Sequence, residues 1–249
     1  MSYMQLKPTM RHATQSSGTA VIVKLLRRDS CELSILRYLH SSTSSYNHTI
    51  PLLGTLKLDV WTFILLPEAI PLDLGFKLGM FRNKGADFGH QLINGVAYLH
   101  RCHVAHLDIK PQNIVALENQ LFIIDFDISV RVDGPDVLID RWCGTPGWMA
   151  PEIGHQDGPN CFYSPIRADL WSCGLILRYL ASKGVVKDKS IMTLTKQLLN
   201  KNPWLRPLLS DLQSSVTVAH PLSDWNGGSK RKPDSLPHDA KRLAIVAGL

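Results

Sequence analysis

The chain has 249 residues, 45% of them apolar and 19% charged, which suits one two-lobed domain with a sizeable core and excludes disorder over most of its length. The net charge of +6 is divided between Lys24, Arg27 and Arg28 near the start and Lys230, Arg231, Lys232, Lys241 and Arg242 near the end. No arginine- and aromatic-rich module accompanies these residues, so no nucleic-acid partner is expected. Five scattered cysteines without a Cys-x-x-Cys pair argue against a zinc site and for a reducing, intracellular setting, cytoplasmic or nuclear. The apolar runs are broken by prolines or aspartates, so no membrane association is expected, and the sequence is silent on oligomeric state.

Residues 1–19 read as a polar, irregular N-terminal segment. Residues 19–26 (TAVIVKLL) are β-branched and apolar and predict a buried strand, with Gly18 suited to the turn before it. Asp29 or Ser30 is placed to cap a helix running to His40, with Leu33, Leu36 and Leu39 as its apolar stripe. Residues 41–49 read as a polar loop, and 52–56 and 60–66 as a hairpin turning near Lys57-Leu58-Asp59. Pro67 and Pro71 then suit a linker between lobes.

Helical periodicity takes over from residue 74, with Phe88, Leu92, Val96 and Leu99 on one face. A short strand is expected at 121–124, and apolar helices at 170–180 and 191–199. From Asp224 onward Gly, Pro, Lys and Asp dominate. The paired basic clusters there fit a bipartite nuclear import signal or a solvated tail. Strands first and helices after predict an α+β architecture. It comprises a small strand-rich lobe at 20–67, a helical lobe at 68–213 and a flexible basic tail at 214–249.

The densest chemistry lies in His106-Leu107-Asp108-Ile109-Lys110-Pro111-Gln112-Asn113, followed by Ile124-Asp125-Phe126. A carboxylate, an ammonium, an amide and a second carboxylate in this order are the groups that phosphoryl transfer to a hydroxyl requires. Further pieces follow in order: Asp125-Phe126-Asp127, Gly144-Thr145-Pro146-Gly147-Trp148-Met149-Ala150-Pro151-Glu152, Asp169-Leu170-Trp171-Ser172-Cys173-Gly174, and Asn202-Pro203-Trp204-Leu205-Arg206-Pro207. Together they resemble the catalytic loop, metal-binding triplet, activation-segment end, central helix and late arginine segment of eukaryotic protein kinases of the serine/threonine type.

The resemblance implies a two-lobed kinase-like fold over residues 20–213, ATP and Mg2+ between the lobes, and a protein substrate. It implies Asp108 as catalytic base and Lys110 as the cation at the transferring phosphoryl. It further implies Asn113 and Asp125 as magnesium ligands, and Thr145 as the residue that positions Asp108 and Lys110. Lys24 would bind phosphates with Glu32 as its partner, although ordinary surface charges remain an alternative for both, and the interval between them is short for this family. Glu152 and Arg206 would form a structural pair, His106, Phe126 and Leu36 a hydrophobic spine, Leu65 the gatekeeper, and 66–68 the hinge.

Three departures stand beside the resemblance. No Gly-x-Gly-x-x-Gly precedes Lys24, so the phosphate-covering loop and its first strand are missing or replaced by residues 1–17. That fits a degenerate kinase or a chain whose natural start lies upstream. Asp127 stands where a glycine is usual, adding negative charge near the metals. Leu107 stands where an arginine usually receives an activation-segment phosphate. Ser129 is the only hydroxyl-bearing residue in 128–142, so activity independent of such a phosphate is expected. The interval from Asp169 to Arg206 is also short, which predicts a trimmed helical lobe.

The leading reading is therefore a protein kinase acting on serine and threonine. The alternative is a pseudokinase-type binding or scaffold module with weak or no phosphotransfer, and the three departures are its warrant. A small-molecule kinase of related fold is a third reading, opposed by the Ala-Pro-Glu and Gly-Thr-Pro elements.

Overall fold

A computed structural model describes residues 10–212 except 16, 29, 42, 155–161 and 184–187. The expected basic tail from 214 lies outside the described residues, as do residues 1–9 of the N-terminal segment.

The described residues begin with an antiparallel sheet in the order β1-β2-β4-β3. Its strands are β1 (Met10–Thr14), β2 (Ala20–Leu25), β3 (Gly54–Leu58) and β4 (Trp61–Pro67). Strand β1 corrects the expectation of an irregular segment. It pairs with β2 from Met10↔Lys24 to Thr14↔Ala20. Gly18, at φ +83°, closes the turn by donating its N–H to the Gln15 carbonyl at 2.9 Å. Strand β1 lies at the sheet edge and is largely exposed, so backbone pairing rather than an apolar pattern defines it.

The hairpin of β3 and β4 turns at Asp59 and Val60, one residue later than expected, with Asp59 at φ +51°. Pro67 ends β4 instead of breaking it. The pairing with β3 stops at Gly54↔Leu65, so Pro67 faces only Val21 on the other side, and its missing N–H disrupts no ladder.

Helix α1 (Glu32–Leu39) lies against this sheet. Its buried stripe is Glu32, Ile35, Leu36 and Leu39, the i, i+3, i+4, i+7 spacing of one helix face, whereas Leu33 is only half-buried. The N-cap position is Cys31, whose side chain makes no cap; of the two expected capping residues, Ser30 accepts the Glu32 N–H on its Oγ at 3.2 Å, and Asp29 lies outside the described residues. The expected polar loop at 41–49 ends in two buried residues, His48 and Thr49, and Ile50 after it is buried too. They dock on the helical lobe: Ile123 donates its N–H to the His48 carbonyl at 2.7 Å, and Ile50 donates to the Ile123 carbonyl at 3.1 Å.

The larger lobe begins with β5 (Ile70–Pro71), α2 (Leu72–Lys77) and α3 (Gly85–Arg101). Phe88, Leu92, Val96 and Leu99 are fully buried on α3, as their spacing predicts. Next come β6 (Val104–Ala105), β7 (Ile114–Leu117), β8 (Gln120–Ile123) and β9 (Val130–Arg131). Strand β6 pairs with β9, and β7 pairs with β5 and β8. Helix α4 (Pro165–Ser182) passes through the core with Leu170, Cys173, Ile176, Leu177 and Leu180 buried. Helices α5 (Lys189–Leu198) and α6 (Leu209–Leu212) complete the lobe. None of the described helices is long and apolar enough to cross a membrane.

One hydrophobic core joins both lobes: Leu26, Leu36, Leu39 and Ile64 from the first meet Phe88, Val96, Ile123, Phe126 and Leu177 from the second. A smaller cluster of Leu107, Val132, Cys143, Ile153, Tyr163 and Ile166 lies beneath the segment between β9 and α4. The fold is the expected α+β pair of lobes, and the site forms where the two meet.

Candidate active site

The loop after β6 is shaped from below by Asp169 of α4. This fully buried carboxylate accepts the N–H groups of His106 at 2.6 Å and Leu107 at 2.8 Å, with His100 Nε2 at 3.3 Å. Those bonds hold Leu107 at φ +66°, a conformation a branched side chain rarely adopts without such support. The Leu107 side chain is buried in the smaller apolar cluster. Asp169 was legible only as the start of a helix; its role as anchor of the loop appears in the tertiary structure.

With the loop so held, the Asp108 carboxylate is fixed by three neighbours. Thr145 donates its hydroxyl to Oδ1 at 2.6 Å, and Lys110 Nζ and Asn113 Nδ2 donate to Oδ2 at 2.7 and 2.8 Å. Lys110 also donates to the Thr145 hydroxyl at 2.7 Å, closing a ring of polar contacts. Asp108 and Lys110 remain partly exposed, so the ring opens on the cleft. His106 is a core residue. Its Nδ1 accepts the Asp108 N–H at 3.2 Å, which leaves Nε2 to donate to the Ile124 carbonyl at 3.0 Å. Its ring meets Phe126 edge-on at 4.9 Å.

On the other side of the cleft, period two places Ile22, Lys24 and Leu26 on one face of the strand, and Lys24 is carried into the interior. Its ammonium is ion-paired with Glu32, lies 2.7 Å from Asp125 Oδ1 and 3.3 Å from Asp127 Oδ2. Lys24 and Glu32 are thus buried partners rather than surface charges. Burial works against the lysine's charge, but the three carboxylates hold its pKa above the ordinary value. Burial also pushes Glu32 up to about 7, against the pull of Lys24. The structure therefore brings Lys24, Glu32 and Asp125 into one contact group and Asp108, Lys110 and Asn113 into another, and the Ile124 N–H joins them by donating to the Asn113 carbonyl at 3.0 Å. What the sequence did not reveal is that Asp127 joins Lys24, and that Ser30 donates to Asp127 at 2.7 Å.

The residues suggested for magnesium present oxygen donors, as a hard cation prefers. Asn113 Oδ1 is buried and without a partner among the described residues, an acceptor left over after Nδ2 has bound Asp108. Carboxylate oxygens of Glu32, Asp125 and Asp127 lie within 4.8 Å of one another. The residues present fit a divalent cation.

Away from the cleft, Arg206 grips Glu152 bidentately, at 2.6 and 2.8 Å, and adds bonds to the carbonyls of Asn200 and Arg167. Around the hinge, Leu65 lies opposite Val23, Leu66 is buried, and Glu68 pairs with His12 of β1 at 2.9 Å.

Comparison with known proteins adds an independent line. CBL-interacting serine/threonine-protein kinase 26 of Arabidopsis thaliana is 36% identical over 144 residues, covering 53% of this chain and 31% of that relative. CBL-interacting protein kinase 32 of Oryza sativa subsp. japonica is 35% identical over 176 residues, covering 62% and 39%. CBL-interacting protein kinase 11 of the same organism is 29% identical over 185 residues, covering 67% and 35%. The chain thus spans a minor part of the length of the curated relatives it matches. A family model described as protein kinase domain matches residues 76–216, the segment that carries Asp108, Asn113, Asp125, Glu152 and Arg206. With that match over more than half of its length, the chain belongs to the protein kinase family.

Proposed function

We propose that the chain transfers the γ-phosphoryl group of ATP to serine or threonine hydroxyls of protein substrates, with magnesium. ATP and magnesium are the pair this family generally uses. The observation that carries the reading is the closed ring at Asp108. A carboxylate held by Thr145, Lys110 and Asn113 has its orientation set before a substrate arrives, and little reorganisation remains for the reaction.

Asp108 orients the incoming hydroxyl and takes up its proton on a carboxylate oxygen. Lys110, already beside that carboxylate, offsets negative charge on the phosphoryl in transit. Lys24, placed by Glu32, binds the phosphates of the nucleotide. Asn113 and Asp125 would hold magnesium, which when bound neutralises phosphate charge. An intracellular setting belongs to the same proposal: Cys31, Cys102, Cys143 and Cys173 are free thiols.

The test is transfer from labelled ATP with magnesium to a generic basic protein, beside an Asp108→Asn control. Transfer that disappears in the control supports the reading. No transfer from a folded chain would favour a binding or scaffold role.

A further inference from the structure

The glycine position of the metal-binding triplet holds Asp127, and its two oxygens are both engaged. Oδ1 accepts the Ser30 hydroxyl at 2.7 Å, and Oδ2 lies 3.3 Å from Lys24 Nζ. Helix α1 starts at Glu32, the partner of Lys24, so the two residues before it sit directly over the segment that follows Asp125. Ser30 reaches Asp127. The Cys31 thiol lies 3.4, 3.7 and 3.2 Å from the carbonyls of Phe126, Asp127 and Ser129. At the far end of the helix, the Arg131 guanidinium stacks 4.1 Å over the Tyr38 ring. The helix is therefore tied at both ends to residues 126–131.

Holding such a helix by adding a phosphate to the segment finds little purchase here. Ser129, the one hydroxyl in 128–142, is 3% exposed, and its hydroxyl donates to the His106 carbonyl at 3.1 Å. Leu107 occupies the apolar cluster beneath. A fixed negative charge already stands at Asp127.

We propose that Asp127, through Ser30, is a positioning residue: a built-in latch that docks α1 and so keeps Glu32, Lys24 and Asp125 in register without a phosphate on the segment. In this reading the metal donors are Asn113 and Asp125, and Asp127 serves the docking of α1. The inference deepens the kinase reading and rests on it for its catalytic consequence, but the docking itself is measurable without nucleotide.

The experiment compares the chain with Asp127→Gly, Asp127→Asn, Ser30→Ala and the Asp127→Gly/Ser30→Ala double variant. Hydrogen exchange of the α1 amides is read without nucleotide, and KM for ATP and kcat are read with it. Losing a hydrogen bond to a charged group should speed α1 exchange about tenfold in Asp127→Gly and in Ser30→Ala. The double variant should be slower than the product of the two single effects, because both singles remove the shared Ser30–Asp127 contact, while Ser30→Ala alone also removes the acceptor of the Glu32 N–H and Asp127→Gly alone the contact with Lys24. Asp127→Asn keeps an acceptor for Ser30 and should restore most of the protection. KM for ATP should rise with exchange, and kcat should move less. Unchanged α1 exchange in both single variants would overturn the proposal, as would fully additive effects. A raised magnesium requirement in Asp127→Asn with α1 exchange unchanged would overturn it in favour of a metal ligand. Absence of phosphotransfer in the unmodified chain would sink the kinase reading while leaving the exchange result readable.

Discussion

Two buried charge clusters in this chain are built on opposite plans. At Arg206 the charges balance: one guanidinium meets one carboxylate in a two-pronged grip, and the Asn200 and Arg167 carbonyls take further N–H groups. At Lys24 they do not. One ammonium faces Glu32, Asp125 and Asp127, and Glu32 Oε1 is left without a partner among the described residues. A balanced pair with every guanidinium nitrogen bonded is stable as it stands and has little to offer a ligand. A cluster with surplus carboxyl groups, an unpartnered oxygen and a carboxyl pushed up to about 7 has bonding capacity left over, which suits the role proposed for it beside cations and phosphates. Arginine serves the first purpose through its rigid planar fork, lysine the second as a compact charge on a flexible stem.

The sharpest test of the functional side is Asp108→Asn. Phosphotransfer should fall about 10²- to 10⁴-fold, the usual worth of a general base, while the melting temperature stays near that of the parent chain. Activity surviving at parental level would remove Asp108 from its assigned role. The balanced pair should respond in the opposite sense: Glu152→Ala leaves Arg206 charged and buried and should cost roughly 3–5 kcal/mol in urea unfolding.

Glu32→Gln sharpens the contrast. The amide keeps an acceptor for Lys24, which retains two carboxylates, so stability should change by only about 1 kcal/mol. KM for ATP should nevertheless rise, because Lys24 is less firmly placed. The sign of its pH dependence also follows. The folded pKa of Glu32 is raised from 4.5 to about 7, so its contribution to stability is complete below 4.5 and is lost as pH rises through 7. A stability-against-pH curve with the same slope in Glu32→Gln would refute this.

The smallest effect lies at the joint between the lobes. His48 is buried, and its Nδ1 bonds the Leu121 carbonyl at 2.9 Å. Burial lowers its pKa below 6.5, so the unfolded chain takes up the proton first and stability falls as pH drops below that value. The difference between the parent and His48→Gln in melts from pH 7 to 5 isolates this term from the opposing one at Glu32. A constant difference across that range would show that His48 does not titrate.

Legibility in the sequence tracked the distance over which each feature is defined. The ring at Asp108 draws three of its four members from one eight-residue stretch, and the fourth, Thr145, sits in a motif that names itself. Helix α3 was visible from period 3.6 alone. Strand β1 was not, because an exposed edge strand needs no apolar alternation. The dock of His48, Thr49 and Ile50 was hidden at the end of a polar run, since the backbone groups it bonds, at Leu121 and Ile123, lie more than 70 residues further along the chain.

By itself, then, the sequence determined the family, the α+β division into lobes and the loop that carries Asp108, because these rest on short contiguous patterns of residue type. Only the tertiary structure decided that Lys24 is buried among three carboxylates, one of them 101 residues away, that Asp169 holds the loop open from beneath, and that Asp127 reaches Ser30 rather than solvent. The reason is physical. A charge acts on whatever folding places within a few ångströms of it, and the low polarity of the interior, not the order of the chain, sets the strength of that interaction.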